Sequence, residues 1–221
     1  MPNWCDNQVS ITGPNSVINK IEKIVKEEKD AGGLLNFMFP RPTELDDTTS
    51  PAPRETKEDK LKSKALMEKY GHDNWYDWSC DNWGTKWEVC EFYGVDRQEI
   101  SDDESTISFA FQSAWSPPTG AYQEFVDKHP VSLEAKYHEP GCDFMGIWDN
   151  GDDRCYTISE AAPEGSKDEF WQSGDGADLD DHFSITESMA DWEAEQAEQE
   201  AEKEDVHEYV KGKAMNIGEE A

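Results

Sequence analysis

Apolar and polar residues alternate in several short stretches of the chain, which predicts β-strands with one buried face. Val9 and Ile11 fall on one side of residues 4–13, and the residues between them are polar. The turn sequence Gly13-Pro14-Asn15 ends this strand. Similar patterns predict strands over residues 106–115, 131–137, 144–148 and 154–158, and one that ends near Tyr93.

Other apolar residues recur at helical spacing. Ile18, Ile21 and Val25 lie on one face of a helix that follows a capping Asn15 or Ser16. Further helices are expected over residues 58–70 and after Pro117-Pro118, and residues 34–39 are expected to form a short strand. The resulting order of elements predicts an α+β fold, a ferredoxin-like (split βαβ) antiparallel sheet in the order 4-1-3-2 with an added C-terminal hairpin.

The composition changes near residue 160, where acidic residues begin to outnumber large apolar ones. We therefore expect a ferredoxin-like domain over residues 1–159, with a long insertion at about 40–82, and an acidic extension over 160–221. Ser184 and Glu187 have the spacing of a capping box and predict a helix over about 185–210, in which Ile185, Met189 and Trp192 dock the first turns. The aspartates between residues 175 and 181 are expected to form a solvated loop, because they lack the order of a calcium-binding EF-hand.

The net charge of −30, combined with 9 tryptophans, indicates a folded domain with a strongly anionic exterior. Such a surface repels nucleic acid and anionic membranes, so neither is expected as a direct partner. It attracts basic surfaces, and many basic surfaces in cells belong to proteins that hold DNA or RNA.

Carboxylates of the predicted C-terminal helix are spaced closely enough to resemble a polyphosphate. The stretch 187–208 holds about ten carboxylates and one lysine over roughly 33 Å, a net negative charge per about 3.7 Å, against roughly 3.4 Å per phosphate along one DNA strand. The alternative is an acidic tail that only promotes solubility. The candidate partner-binding residues are Glu187, Asp191, Glu195, Glu198, Glu202 and Asp205, with Trp192 as an anchor.

A second candidate site is rich in tryptophan. The predicted strand order brings residues 82–87 near residues 115–118 and places residues 139–141 beside Trp4 and Cys5. One interpretation is a ligand groove floored by indoles, and the other is that the indoles only fill the ends of the sheet. The candidate groove residues are Asn82, Trp83, Thr85, Lys86, Trp87, Trp115 and Ser116.

The sequence offers no catalytic residues, metal ligands or cofactor motif. The 5 cysteines are far apart, the 5 histidines form no HExxH or HxH motif, and the Gly-Asp-rich turns would repel a phosphate. An enzyme is therefore less expected than a binding protein, and no cofactor is expected. With no basic, apolar leader and no long apolar segment, a soluble cytoplasmic protein is predicted.

Four motifs carry a resemblance to a known family. They are Met1-Pro2-Asn3-Trp4-Cys5-Asp6-Asn7, Asn82-Trp83-Gly84-Thr85-Lys86-Trp87, Ala114-Trp115-Ser116-Pro117-Pro118, and Glu139-Pro140-Gly141 with Phe144 and Gly146. In this order they resemble the YubB-type ferredoxin-like domain family of phages and plasmids, a domain of unknown function. The resemblance runs to about residue 158 and implies the fold and an origin on a bacteriophage or other mobile element, but no activity.

These observations lead to one functional hypothesis and two alternatives. The hypothesis is a non-enzymatic phage or plasmid accessory protein in the host cytoplasm that covers the basic surface of a host nucleic-acid-binding or defence protein, as a nucleic-acid (DNA) mimic with an anti-defence role. The alternatives are a small-ligand or peptide-binding module that uses the Trp-lined groove, and an uncharacterised enzyme of nucleotide or nucleic-acid metabolism. The sequence does not indicate an oligomeric state.

Overall fold

The chain folds into two compact units, Met1–Gly165 and Ser166–Ala221. The computed structural model describes residues 3–27, 33–89, 91–161 and 167–218, and within the last range it describes the side chains of residues 169–203. The first unit is a sheet covered by helices, and the second is helical.

The sheet of the first unit has six antiparallel strands in the order β2-β3-β1-β4-β5-β6. The strands are β1 (Trp4–Pro14), β2 (Tyr93–Glu99), β3 (Glu104–Ala114), β4 (Ser132–Glu139), β5 (Phe144–Asp149) and β6 (Asp152–Thr157). The first four strands have the predicted order 4-1-3-2, and β5 and β6 extend the sheet beside β4. The predicted α+β, ferredoxin-like fold with an added hairpin is therefore confirmed.

Helices cover one face of this sheet and form the core with it. The helices of the first unit are α1 (Asn15–Glu27), α2 (Leu34–Met38), α3 (Lys57–Tyr70), α4 (Trp75–Trp83) and α5 (Thr119–Lys128), with 3-10 turns at Thr43–Leu45 and Pro140–Cys142. Val9 and Ile11 of β1 are fully buried, as are Ile21 of α1 and Phe125 of α5. The opposite face is polar along β1, where the Thr12 and Thr106 hydroxyls lie 2.7 Å apart.

The tryptophan-rich segment contains helix α4, although no helix was predicted there, and β2 begins at Tyr93 rather than ending there. The helix forms because the Asn74 side chain caps its first turn, accepting from the Asp77 N–H at 2.9 Å, and Trp78, Ser79 and Trp83 are buried at helical spacing. Gly84 ends it with a φ of 89°, a conformation suited to glycine.

Residues 34–39 were also predicted wrongly, because they form α2 instead of a strand. Glu88, more than 50 residues away, accepts hydrogen bonds from the Leu35 N–H (2.7 Å) and the Asn36 N–H (2.8 Å) at the start of this helix. The helix therefore depends on a cap that no local pattern contains.

The second unit contains α6 (Lys167–Gln172), α7 (Gly174–Phe183) and α8 (Ile185–Gly218). Helix α7 occupies the segment predicted to be an acidic loop. Ser184 has a φ of 50° and ends α7, so it does not form the predicted capping box with Glu187. Asp180 stabilises the start of α8 instead, accepting from the backbone N–H and the hydroxyl of Thr186, each at 2.7 Å. None of the described helices is long and apolar enough to cross a membrane.

Candidate functional site

The predicted acidic residues of α8 share one face of that helix. Glu187, Asp191, Glu195, Glu198, Glu202 and Asp205, here called the carboxylate row, follow one another at intervals of three or four residues. At 100° per residue these intervals keep all six within an arc of about 80° along about 27 Å of helix.

The first five members of the carboxylate row are exposed. None of these five makes an ion pair or a side-chain hydrogen bond with another described residue. The side chain of Asp205 lies outside the described residues. Trp192, the predicted anchor, is 62% exposed, whereas Ile185 is buried and Met189 half-buried. The sequence predicted that Trp192 docks the first turns of the helix, but its indole is accessible and does not do so.

Three partly exposed tryptophans of the first unit form a second surface. Trp4, Trp87 and Trp115, here called the indole cluster, are 45%, 40% and 44% exposed. The ring centroids of Trp4 and Trp87 lie 6.4 Å apart. The Lys86 Nζ lies 3.7 Å from the centroid of the Trp87 ring and 5.6 Å from that of Trp115. These are distances at which a ring face attracts an ammonium group.

The predicted groove residues do meet in space, but most of their polar groups are used within the protein. The Thr85 hydroxyl donates to the Ala114 carbonyl at 2.8 Å, and the Ser116 hydroxyl donates to the Gly84 carbonyl. The Asn82 amide donates to the Trp78 carbonyl at 2.9 Å. Thr85 and Ser116 join the end of α4 to the end of β3, and the Asn82 bond lies within α4. Among the predicted groove residues this leaves Lys86 with a polar group beside the exposed indoles.

Trp83 does not belong to the surface that the sequence predicted for it. It is 1% exposed, its indole N–H donates to the Phe39 carbonyl at 2.7 Å, and its ring meets Trp78 edge to face. The Arg41 guanidinium lies 5.1 Å from its ring centroid. Trp83 is therefore a core residue whose indole N–H has a hydrogen-bond partner. For this tryptophan the second interpretation, that the indoles only fill the ends of the sheet, describes the structure better than a ligand groove does.

Trp4 belongs to the indole cluster although the sequence did not place it in the groove. Its position follows from the sheet register, which pairs Trp4 with Ala114, the residue before Trp115. The Trp115 N–H also donates to the Asn3 carbonyl at 3.0 Å. The predicted strand order already placed β1 beside β3, but the register that brings Trp4 next to Trp115 cannot be read from the sequence.

The described cysteines are free thiols, and three of them are poor nucleophiles. Burial raises the pKa of Cys5 and Cys80, and the Glu139 carboxylate raises that of Cys142. A raised pKa keeps a thiol protonated at neutral pH. Cys90 lies outside the described residues. No group of three or more His, Cys, Asp or Glu side chains that could hold a metal ion occurs in the described part of the chain.

One cavity in the described residues surrounds a carboxylate that has its own hydrogen-bond partners. It lies between α3 and the segment before it and is lined by Thr48, Lys62 and Asp73 among others. Asp73 is 4% exposed and accepts hydrogen bonds from Ser63, Asn74 and Arg54. These bonds hold its pKa below the ordinary aspartate value despite burial. Asp73 therefore connects α3, Arg54 and the start of α4 through hydrogen bonds.

Fold and surfaces together define a ferredoxin-like domain with an acidic helical extension. The profile of a family described as the ferredoxin-like domain in Api92-like protein matches residues 92–173, which is less than half of the chain. A crystal structure of a protein api92 from Yersinia pseudotuberculosis is similar, with 11% sequence identity and a TM-score of 0.38, over 69% of this chain and 96% of that one. No curated protein matches the chain significantly.

The comparisons support a ferredoxin-like domain without an assigned activity, which is the coarser part of the resemblance seen in the sequence. An identity of 11% is too low to equate residues of the two proteins. The two surfaces therefore carry the functional argument.

Proposed function

We propose that this protein is a non-enzymatic binding protein that covers the basic surface of a nucleic-acid-binding or defence protein through the carboxylate row of α8. The observation that carries the proposal is the row itself: five exposed carboxylates on one helix face, none neutralised by a described cation. Other positions of α8 also carry carboxylates, at Glu193, Glu200, Glu204 and Glu208. The row is distinguished by its spacing, because its six members follow one another at every turn of the helix.

The physical basis is competition for the same cations. A basic groove binds DNA largely because its Lys and Arg side chains replace the counterions of the phosphates. A stiff row of carboxylates can satisfy those same side chains, and a helix loses less conformational entropy on binding than a flexible tail would. The partner can then hold either the nucleic acid or this protein.

A displacement assay tests the proposal. Proteins of a bacterial extract are loaded on DNA-cellulose, the full chain is added at moderate salt, and released proteins are identified by mass spectrometry. We expect the wild-type protein to release a small, reproducible set of DNA-binding proteins. Changing the six carboxylates of the row to Gln or Asn should abolish the release.

A matched variant controls for total charge. It neutralises six exposed carboxylates of the first unit instead: Glu55, Glu58, Glu99, Asp102, Asp103 and Glu160. This variant has the same net charge as the row variant and should still release the same proteins. Equal release by both variants, or equal loss in both, would mean that the row has no special part.

Two further features belong to the proposal. An origin on a phage or plasmid, with action in the host cytoplasm and an anti-defence role, follows from the YubB-type resemblance and from the chemistry of the row. Binding is expected to involve no direct contact with nucleic acid and no membrane, because the net charge of −30 opposes both.

A further inference from the structure

Lys86 lies beside the indole cluster and is held by aromatic rings rather than by a carboxylate. The chain contains 50 Asp and Glu residues, yet no described carboxylate lies within ion-pair distance of Lys86 Nζ. Its ammonium lies over Trp87 and near Trp115 instead. The indoles thus form a site that already holds a cation of this protein.

Trp115 reaches this site at a cost in backbone energy. Its φ is 74°, in the left-handed region that bulky residues rarely adopt and that costs about 1–2 kcal/mol. Ile107, Phe109, Phe111 and Ser113 of β3 are buried on the core face, so a regular strand would direct the side chain of residue 115 to that face as well. The left-handed turn therefore allows the indole of Trp115 to reach the surface. Backbone strain of this kind occurs most often at functional sites.

We propose that the indole cluster is a binding site for an arginine side chain of a protein partner, and that Lys86 fills this cation site until the partner's side chain replaces it. The inference goes beyond the carboxylate row and depends only on residues of the first unit. A guanidinium suits the site better than an ammonium, because its flat, weakly hydrated surface stacks on indole.

Charge complementarity favours this ligand. Residues 1–165 alone carry twice as many acidic as basic side chains, so a cationic partner is attracted to this unit and a nucleic acid is repelled. The nearest charged position along β1 is Asp6, two residues from Trp4 and therefore on the same face of the sheet. Exposed tryptophans are also the residues that most often dominate protein–protein binding energy.

Nuclear magnetic resonance titration of the ¹⁵N-labelled full chain tests the proposal. The probe is the peptide acetyl-Gly-Arg-Gly-amide, and the matched control peptide carries citrulline, which has the shape of arginine without its charge. We expect the arginine peptide to shift the indole N–H signals of Trp87 and Trp115, which are assigned from Trp87→Ala and Trp115→Asn. The citrulline peptide should shift them at least about tenfold less at equal concentration.

The effect of Lys86→Gln on arginine binding shows whether the Lys86 side chain competes with the ligand for the same site. If Lys86 occupies the site, its removal should tighten arginine binding by about threefold or more, while Lys20→Gln, an equal charge change at an exposed position of α1, should change it less than about twofold. Asparagine at position 115 tolerates a positive φ, so Trp115→Asn should fold and lose binding.

Three results would overturn the proposal. The first is that Lys86→Gln binds the arginine peptide as strongly as the wild type or more weakly, and the second is that the citrulline peptide binds as strongly as the arginine peptide. The third is that hexathymidylate shifts the same indole signals more than the arginine peptide does, and that Lys86→Gln abolishes this shift. The last result would identify the cluster as a stacking surface for single-stranded nucleic acid.

Discussion

Tryptophans that are close in this sequence have different roles, and the neighbours that decide those roles are distant in sequence. Trp83 and Trp87 are four residues apart, yet the first is 1% exposed and the second 40% exposed. Trp83 is turned inward because α4 packs on α5 and because the Phe39 carbonyl accepts its N–H. Composition alone could not have separated them.

This difference gives a prediction at the level of single side chains. Trp83→Ala removes a buried ring and leaves the Phe39 carbonyl without its donor, so we expect a loss of about 3–5 kcal/mol of stability. Trp87→Ala removes a half-exposed ring and its contact with Lys86, which is worth about 1 kcal/mol. Urea unfolding followed by far-UV circular dichroism measures both. Similar losses for the two variants would contradict the assignment of Trp83 to the core and Trp87 to the surface.

Glu88 gives a pH prediction. Burial raises the pKa of Glu88 above the ordinary value of 4.5, although three backbone N–H groups and Arg41 act in the opposite direction. The folded protein therefore binds this proton more tightly than the unfolded chain. The stability that this proton contributes is complete below pH 4.5 and is lost as the pH rises through the raised pKa.

Glu88→Gln cannot titrate, so its stability relative to wild type should improve steadily as the pH rises from 4 to 7. The pH dependence of this stability difference is the quantity to compare, and for one proton it cannot exceed about 1.4 kcal/mol per pH unit. The hydrogen bond lost from one N–H of α2 adds only a constant. Guanidinium unfolding of both proteins at four pH values measures this difference in stability. A difference that stays flat, or that falls with pH, would contradict the raised pKa.

Secondary-structure elements were predicted well where the signal was local. Residues 4–13 alternate because one face of β1 is buried, and the Asn150-Gly151 turn has the positive φ angles that its sequence favours. Helix α4 had a local signal too, the Asn74 cap and the Gly84 stop, which the high aromatic content obscured. Helix α2 had none, because its cap is Glu88.

The candidate sites follow the same rule. The carboxylate row could be predicted because a helix has a fixed period, so sequence spacing gives the face directly. The indole cluster could be predicted only in part, because Trp4 joins it through the register of β1 with β3. The left-handed turn at Trp115 could not be predicted, since nothing local favours it at a tryptophan.

The contact between α4 and α5 makes a prediction at the level of elements. A Cβ on Gly120 would lie 2.3 Å from the Asn82 carbonyl oxygen, so Gly120→Ala must push the end of α4 away from α5. Without this contact, alanine would favour the helix by up to about 1 kcal/mol. We expect instead a loss of about 1–3 kcal/mol. Thr119→Ala, at the preceding position of α5, should stay within about 0.5 kcal/mol in the same urea titration. Stabilisation by Gly120→Ala would mean that the two helices are not in contact there.

The whole molecule combines a long-range attraction with a short-range contact, and these respond differently to salt. Attraction between opposite charges weakens as ions screen it, over a Debye length of about 10 Å at 0.1 M salt. Stacking of a guanidinium on an indole acts at contact distance and is screened much less. The two proposed binding surfaces should therefore leave separate signatures in one measurement.

An octa-arginine peptide, titrated calorimetrically against the full chain between 50 and 300 mM NaCl, should reveal both signatures. Neutralising the carboxylate row should reduce the slope of log K against log salt, because fewer counterions are released when the peptide binds. Trp87→Ala should lower K by a similar factor at every salt concentration and leave the slope as it is, because the charge is unchanged. An unchanged slope in the row variant would mean that the peptide binds elsewhere on the anionic surface. A changed slope in Trp87→Ala would mean that the indole cluster acts through the field of its surroundings rather than through contact with the cation.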